Sequence, residues 1–194
     1  MNLLINTKNK EQLFRKWVED HSDLLYRYSL RHLNHDDLAK DQVQETFLAA
    51  WRNMDGYNGE ASVKNWLFVI LKSKIADHFR KSSTKRVVEM VQKEHNESTF
   101  FDEEGHWSNG MYPKKWSVDF SNRAETKEFY QVFRSCGKKL KEVQNTVFVM
   151  KYVDGFESEE ICKELGITAS NYWVLIHRAK VQLRACLEKN WMQK

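Results

Sequence analysis

Ser158-Glu159-Glu160-Ile161-Cys162-Lys163-Glu164-Leu165-Gly166-Ile167-Thr168, followed by an unbroken helical pattern from Ala169 to about Lys189, is the stretch on which the fold turns. Gly166 can adopt the left-handed backbone that stops one helix, and the Thr168 hydroxyl can cap the next. Two helices so joined have the grammar of a helix-turn-helix, whose second helix enters the DNA major groove. Along that second helix Tyr172, Ile176, Ala179, Leu183 and Leu187 follow at steps of four, three, four and four, which predicts a buried stripe. The opposite side offers Ser170, Asn171, Trp173, Val174, His177, Arg178 and Lys180 as DNA-binding candidates. No acidic residue stands between Glu164 and Glu188, so repulsion from phosphate is minimised.

Upstream of this motif, Tyr152-Val153-Asp154-Gly155-Phe156 marks a turn, preceded by Val143, Val147, Phe148 and Met150 and, from about Ala124, by Phe129, Val132, Phe133 and Leu140 at helical spacing. Between about Ser82 and Arg123 the periodicity fades. Glu94, Glu97, Asp102, Glu103 and Glu104 stand there beside Pro113, and the segment reads as a tether. Phe100, Phe101, Trp107, Tyr112 and Trp116 make it more aromatic than a plain linker.

The front of the chain predicts three helices. Phe14, Trp17, Val18, Leu24, Leu25 and Tyr28 form the apolar side of the first, from Gln12 to Leu33, and His35-Asp36-Asp37 interrupts it. Val43, Phe47, Ala50 and Trp51 form the stripe of the second, from about Asp37 to Met54. After the breaker Asp55-Gly56-Tyr57-Asn58-Gly59, the third runs from about Ser62 to Lys81, with Val63, Trp66, Leu67, Ile70, Leu71, Ile75 and Phe79 inward. Lys74, His78, Lys81 and Lys85 line up on this third helix with Arg80 and Arg86 beside them, a basic face suited to phosphate.

One proline and seven glycines in 194 residues disfavour sheets and phosphate loops, so the chain is expected to be all-α. Its length suits two small helical domains: residues 9–83 as a three-to-four-helix bundle, 84–123 as the tether, and 124–192 as the helix-turn-helix domain. Thirty-one basic and 27 acidic residues leave a net charge of only +4, so charge placement matters more than its total. Cys136, Cys162 and Cys186 are odd in number and widely spaced, and reduced thiols are expected, with no metal site and no cofactor. Neither a membrane-spanning run nor a signal peptide is apparent, which points to the cytoplasm. A glycine phosphate loop, H-E-x-x-H and a nucleophile elbow are absent from the sequence, so no catalysis of its own is expected.

Asp41-Gln42-Val43-Gln44-Glu45-Thr46-Phe47-Leu48-Ala49-Ala50-Trp51, with Tyr57, Gly59, Trp66-Leu67, Asp77 and Arg80 after it, resembles the front domain of the sigma-70-type factors of bacterial RNA polymerase, in the small extracytoplasmic-function (ECF) group. Gly155-Phe156, Glu160-Ile161, Leu165-Gly166-Ile167 and His177-Arg178-Ala179 resemble that group's promoter-reading domain. The resemblance covers nearly the whole chain and implies a dissociable initiation subunit that binds core polymerase and directs promoter recognition, melting and initiation. It implies that Asp41, Gln44, Glu45 and Leu48 bind the clamp of the largest polymerase subunit, and that the rear domain meets the flap of the second-largest. It assigns the minus-10 element to the front domain, where Tyr57, Asn58 and Asn65 suit a pocket for a flipped base, Lys64, Lys74, Arg80 and Lys81 hold the backbone, Ser73 stands where a base would be touched, and His78 belongs to the same basic face. Trp66 belongs rather to the core. The minus-35 element falls to Ser170, Asn171, Trp173, Val174, His177, Arg178 and Lys180. The tether would run through the polymerase cleft, its acids mimicking RNA, and an anti-sigma protein, itself a route to the membrane, would hold the factor inactive.

Two positions depart from the group's pattern. Ser73 stands where asparagine is common, and a hydroxyl lacks the amide's paired hydrogen bonds. Trp173-Val174-Leu175 replaces a segment that is often basic or hydroxylated, which opens apolar contact with thymine methyls. Two other functions stay open at this level: a stand-alone helix-turn-helix regulator with a dimerising front bundle, and an adaptor that mimics a sigma factor without initiating.

Overall fold

A computed structural model describes residues 2–93 and 122–191, with side chains described for 9–81 and 122–191. Among them the helices are α1 (Asn2–Leu33), α2 (Asp36–Arg52), α3 (Val63–Lys93), α4 (Arg123–Gly137), α5 (Glu142–Tyr152), α6 (Ser158–Leu165) and α7 (Ala169–Asn190), with one 3-10 turn at Met54–Gly56 and no strand. The all-α expectation therefore holds. The chain divides into two compact units, Met1–Phe79 and Arg80–Lys194.

In the first unit α1 packs along α2 across a two-residue connection. Asn34 there takes φ 56, a left-handed conformation that asparagine tolerates better than most residues. His35 then caps α2, its Nδ1 accepting from the Leu38 amide. Leu25 and Leu33 of α1, Ala39, Val43, Phe47 and Ala50 of α2, and Leu67, Leu71, Ile75 and Phe79 of α3 are buried. Each such leucine contributes roughly 1.5–3 kcal/mol by leaving water, which is why the apolar periodicity alone foretells the bundle. The periodicity misassigns two side chains. Trp51 is 36% exposed, at the edge of the stripe with Phe14 against it at 5.0 Å, and Leu24 faces solvent beside the buried Leu25. The third helix also outruns its expected end at Lys81 and continues to Lys93, so the first residues of the expected tether are helical. Pro113, the tether aromatics Phe100, Phe101, Trp107, Tyr112 and Trp116, and Glu94, Glu97, Asp102, Glu103 and Glu104 lie outside the described residues, as do the side chains of Lys85 and Arg86.

In the second unit α7 is the central helix, packed by α4, α5 and α6. Tyr172, Ile176, Ala179, Leu183 and Leu187 are all buried, so the stripe is as its spacing foretells. Cys136, Leu140, Ala179, Leu183 and Leu187 form one core cluster, onto which Phe129, Val132, Phe133 and Phe148 pack. The expectation of three reduced thiols is corrected here. Cys136 of α4 and Cys186 of α7 are joined by a disulfide, leaving Cys162 free. The two positions are 50 apart in sequence, but α4 against α7 brings their Cα atoms to 5.7 Å, within the span of a disulfide.

Candidate polymerase and nucleic-acid interfaces

The α6–α7 turn is built as its residues dictate. Gly166 closes α6 at φ 65, ψ 37, where a Cβ is disfavoured. The Ile167 amide donates to Cys162 O at 3.0 Å, and Thr168 Oγ1 accepts from the Asn171 amide at 3.2 Å. At the other end of α6 the Glu157 amide donates to the Glu160 carboxylate at 2.8 Å, a capping bond that fixes where the motif starts.

With both helices pinned, the outward side of α7 is set. Ser170, Trp173, Val174, His177 and Lys180 are exposed, while Asn171 and Arg178 are half-buried. Trp173, Val174, Ile176, His177, Arg178 and Lys180 line one open recess. Lys180 also holds its ammonium 5.2 Å over the Tyr152 ring. A further residue joins them that periodicity could not find. Lys141, just before α5, has its ammonium held below the ordinary lysine range, first by burial and then by the nearby Arg178 charge. The two cations therefore stand near enough to feel each other's charge. Only the packing of α5 on α7 reveals this pair.

In the first unit the acidic side of α2 faces outward. Asp41, Gln44, Glu45 and Leu48 are all exposed, Leu48 at 49%, whereas Val43, Phe47 and Ala50 on the other side are buried. Glu45 accepts from the Lys74 ammonium at 3.5 Å, tying the outward face of α2 to α3. Two residues expected to serve different partners are therefore one ion pair.

The loop before α3 is exposed from Asn58 to Ser62, and its one aromatic residue, Tyr57, is half-buried. The Tyr57 ring lies 5.6 Å from Trp17 and 4.9 Å from Trp66, and its hydroxyl donates to Ala61 O. Tyr57 thus holds the loop to the core, and the expected aromatic wall faces Trp66 instead of open space. Trp66, 6.0 Å from Trp17, belongs to the same packed group. Asn58 is exposed, its side-chain carbonyl accepting from the Glu60 amide at 3.2 Å. Lys64, Asn65, Ser73, Arg80 and Lys81 are exposed, and Lys74 and His78 are half-buried, so the basic row is less open than its spacing suggests. Val69, 67% exposed, and Lys72, 6.0 Å from the Tyr28 ring, share the open surface of α3, and neither stood out in the sequence. Their signal was faint: one apolar residue out of register and one lysine off the basic row.

Residues 17–85 match the family model Sigma-70 region 2, and residues 130–183 match Sigma-70, region 4. A probable RNA polymerase sigma factor of Haemophilus influenzae is 35% identical over 157 residues, covering 81% of this chain and 80% of that protein. From Bacillus subtilis, the RNA polymerase sigma factor YlaC is 23% identical, covering 93% of this chain and 92% of its own length. The ECF RNA polymerase sigma factor SigW of the same organism is 25% identical, with 91% and 90% covered. Among solved structures, the Bartonella quintana sigma factor RpoE, in complex with the anti-sigma factor NepR, is similar at a TM-score of 0.44 and 21% identity, covering 91% of this chain and 98% of that one. Two ordered regions matching region 2 and region 4, and a relative at 35% identity over most of both chains, mean that this chain belongs to the sigma-70 family, in its ECF group, whose members direct bacterial RNA polymerase to promoters.

Proposed function

We propose that this sigma factor divides its work between the segments 9–83 and 124–192. The rear segment anchors the minus-35 element as duplex through Ser170, Asn171, Trp173, Val174, His177, Arg178 and Lys180, with Lys141 and Arg178 straddling a phosphate. The front segment grips the clamp of the largest polymerase subunit through Asp41, Gln44, Glu45 and Leu48. Melted minus-10 DNA lies on Asn58, Lys64, Asn65, Ser73, Lys74, His78, Arg80 and Lys81, with Tyr57 bracing the loop that carries Asn58. The rear segment also meets the flap of the second-largest subunit, and an anti-sigma protein competes for these surfaces. The factor acts in the bacterial cytoplasm and leaves all catalysis to the polymerase.

The observation that carries this reading is the capped α6–α7 turn with an outward face free of acids from Leu165 to Leu187. Phosphate-rich DNA is approached by such a face without charge repulsion, and the first turns of the second helix reach base edges. Run-off transcription with purified sigma-free core polymerase and fragmented bacterial DNA tests it. Starts that depend on the protein and share two spaced motifs are expected. Specific DNA binding without core, and no initiation, would make the chain a conventional helix-turn-helix regulator instead. In the same assay Arg178→Ala is expected to weaken promoter binding about tenfold or more with core binding intact, and Lys141→Ala to lower the salt slope of binding by about one.

A further inference from the structure

We propose that Trp173 and Val174 read the methyl groups of thymines in the minus-35 duplex, so that promoters of this factor carry thymine beneath the second turn of α7. The proposal rests on α7 being the duplex-reading helix.

Trp173 is 62% exposed and Val174 40% exposed, adjacent on the side away from buried Tyr172, Ile176 and Ala179. Along the edges of base pairs the major groove presents one apolar feature, the thymine methyl. Serine, histidine and cationic side chains on the same face address hydrogen-bonding edges and phosphates, but a tryptophan and a valine together match only that feature. The indole is also steadied in advance. Its ring meets the ring of the buried Tyr172 edge-on, at 5.2 Å and 74°, so less rotamer freedom is lost when a base arrives.

A protein partner is the competing occupant. A stable protein interface buries roughly 800 Å² on each side, far more than one tryptophan and one valine present. His177, Arg178 and Lys180 line the same recess. An apolar pair set beside the Arg178 and Lys180 cations suits a groove walled by phosphates better than an apolar partner surface.

The test uses holoenzyme, core polymerase plus the full chain, and a duplex library randomised across the minus-35 element. Selection is expected to return thymines on either strand at adjacent positions. Re-making the selected duplex with 2′-deoxyuridine at one of them removes a single methyl and is expected to weaken binding about fourfold, the effect of burying one carbon group. Trp173→Ala and Val174→Ala are each expected to bind more weakly and to lose most of the thymine–uracil difference at one position. Their surface location leaves the fold intact, and equal thermal midpoints check this. A uracil penalty that persists in both variants overturns the proposal, because another group then reads the methyl. Selection of a defined element without thymine, or without any uracil penalty, overturns it while leaving α7 as the reader. No selected element at all, with Arg178→Ala also without effect, removes the underlying reading instead.

Discussion

Helices α2 and α7 bury themselves by the same rule and face outward with opposite chemistry. Val43, Phe47 and Ala50 turn one side of α2 inward, as Tyr172, Ile176, Ala179 and Leu183 do for α7. On the open side, α2 carries Asp41, Gln44, Glu45 and Leu48, whereas α7 carries Ser170, Trp173, Val174, His177 and Lys180. Their starts differ as well: Asp36 and Asp37 occupy the first turn of α2, and α7 has no acid in its first turn. Negative charge at a helix start stabilises it through the macrodipole, so α7 forgoes a benefit that α2 takes. The buried stripe builds the fold, and the open side sets the chemistry each helix presents to solvent.

Their anchoring differs too, and this carries the largest expected effect. α7 is tied covalently to α4 by Cys136–Cys186, while the first unit contains no cysteine. Closing a loop of about 50 residues is worth roughly 4 kcal/mol by chain entropy, and 2–4 kcal/mol is typical. In oxidised protein, with the Cys136–Cys186 bond formed as in the structure, reduction by dithiothreitol, or Cys186→Ser, is therefore expected to lower amide-exchange protection in α4 and α7 by about 2–4 kcal/mol and to leave α1 and α2 unchanged. Equal loss in both units would mean that they unfold as one body, and no loss would mean that packing of Leu140 and Leu183 already supplies the stability of this core.

How much of this was legible in the sequence follows from which interactions are local. Gly166, Thr168 and the Tyr172 to Leu187 stripe act within a few residues of themselves, so spacing and turn chemistry foretell the motif and its outward face. The outward set on α2 was legible for the same reason. The disulfide, the Lys141–Arg178 pair and the Lys74–Glu45 ion pair each join residues 29 or more positions apart, and only helix packing brings them together. Trp51 and Leu24 were misjudged because a stripe has edges, and periodicity does not say where the neighbouring helix stops covering it. The packing of Tyr57 on Trp17 is equally non-local, since the two stand 40 positions apart in the chain.

A charge placed at the start of α7 would break the contrast between the two helices. Ser170→Asp adds the acid that α2 has and α7 lacks. It is expected to raise the stability of the rear unit by about 0.3–1 kcal/mol through the macrodipole. The same substitution sets a carboxylate against DNA phosphate and is expected to weaken promoter binding about tenfold, roughly 1.4 kcal/mol. Denaturant unfolding and fluorescence anisotropy on promoter duplex read the two effects separately. Unchanged DNA affinity would show that the start of α7 lies clear of the phosphates.

The smallest expected effect is the pH dependence that α2 gains at its own start. Asp36 accepts from the Lys40 ammonium and the Tyr26 hydroxyl, in that order of influence, and its carboxyl is held below its ordinary range. Lys40 is in turn raised by Asp36. A carboxyl with a depressed folded-state pKa contributes stability that is whole above the unfolded value. That contribution fades as pH falls through the folded value, because the unfolded chain takes up the proton first. For Lys40 the sign reverses, and its contribution is whole below the unfolded lysine value and fades as pH rises through the folded one. The gap in melting temperature between the natural chain and Asp36→Asn is therefore expected to be level from about pH 5 to pH 9, to close in acid and to narrow in strong alkali. These groups are open to solvent, so the gap is small. A gap that stays constant below pH 4 would mean that asparagine fails as a hydrogen-bond partner at that position, and that charge at the start of α2 does not matter. α7, with no acid in its first turn, has no group there to give such an acid limb.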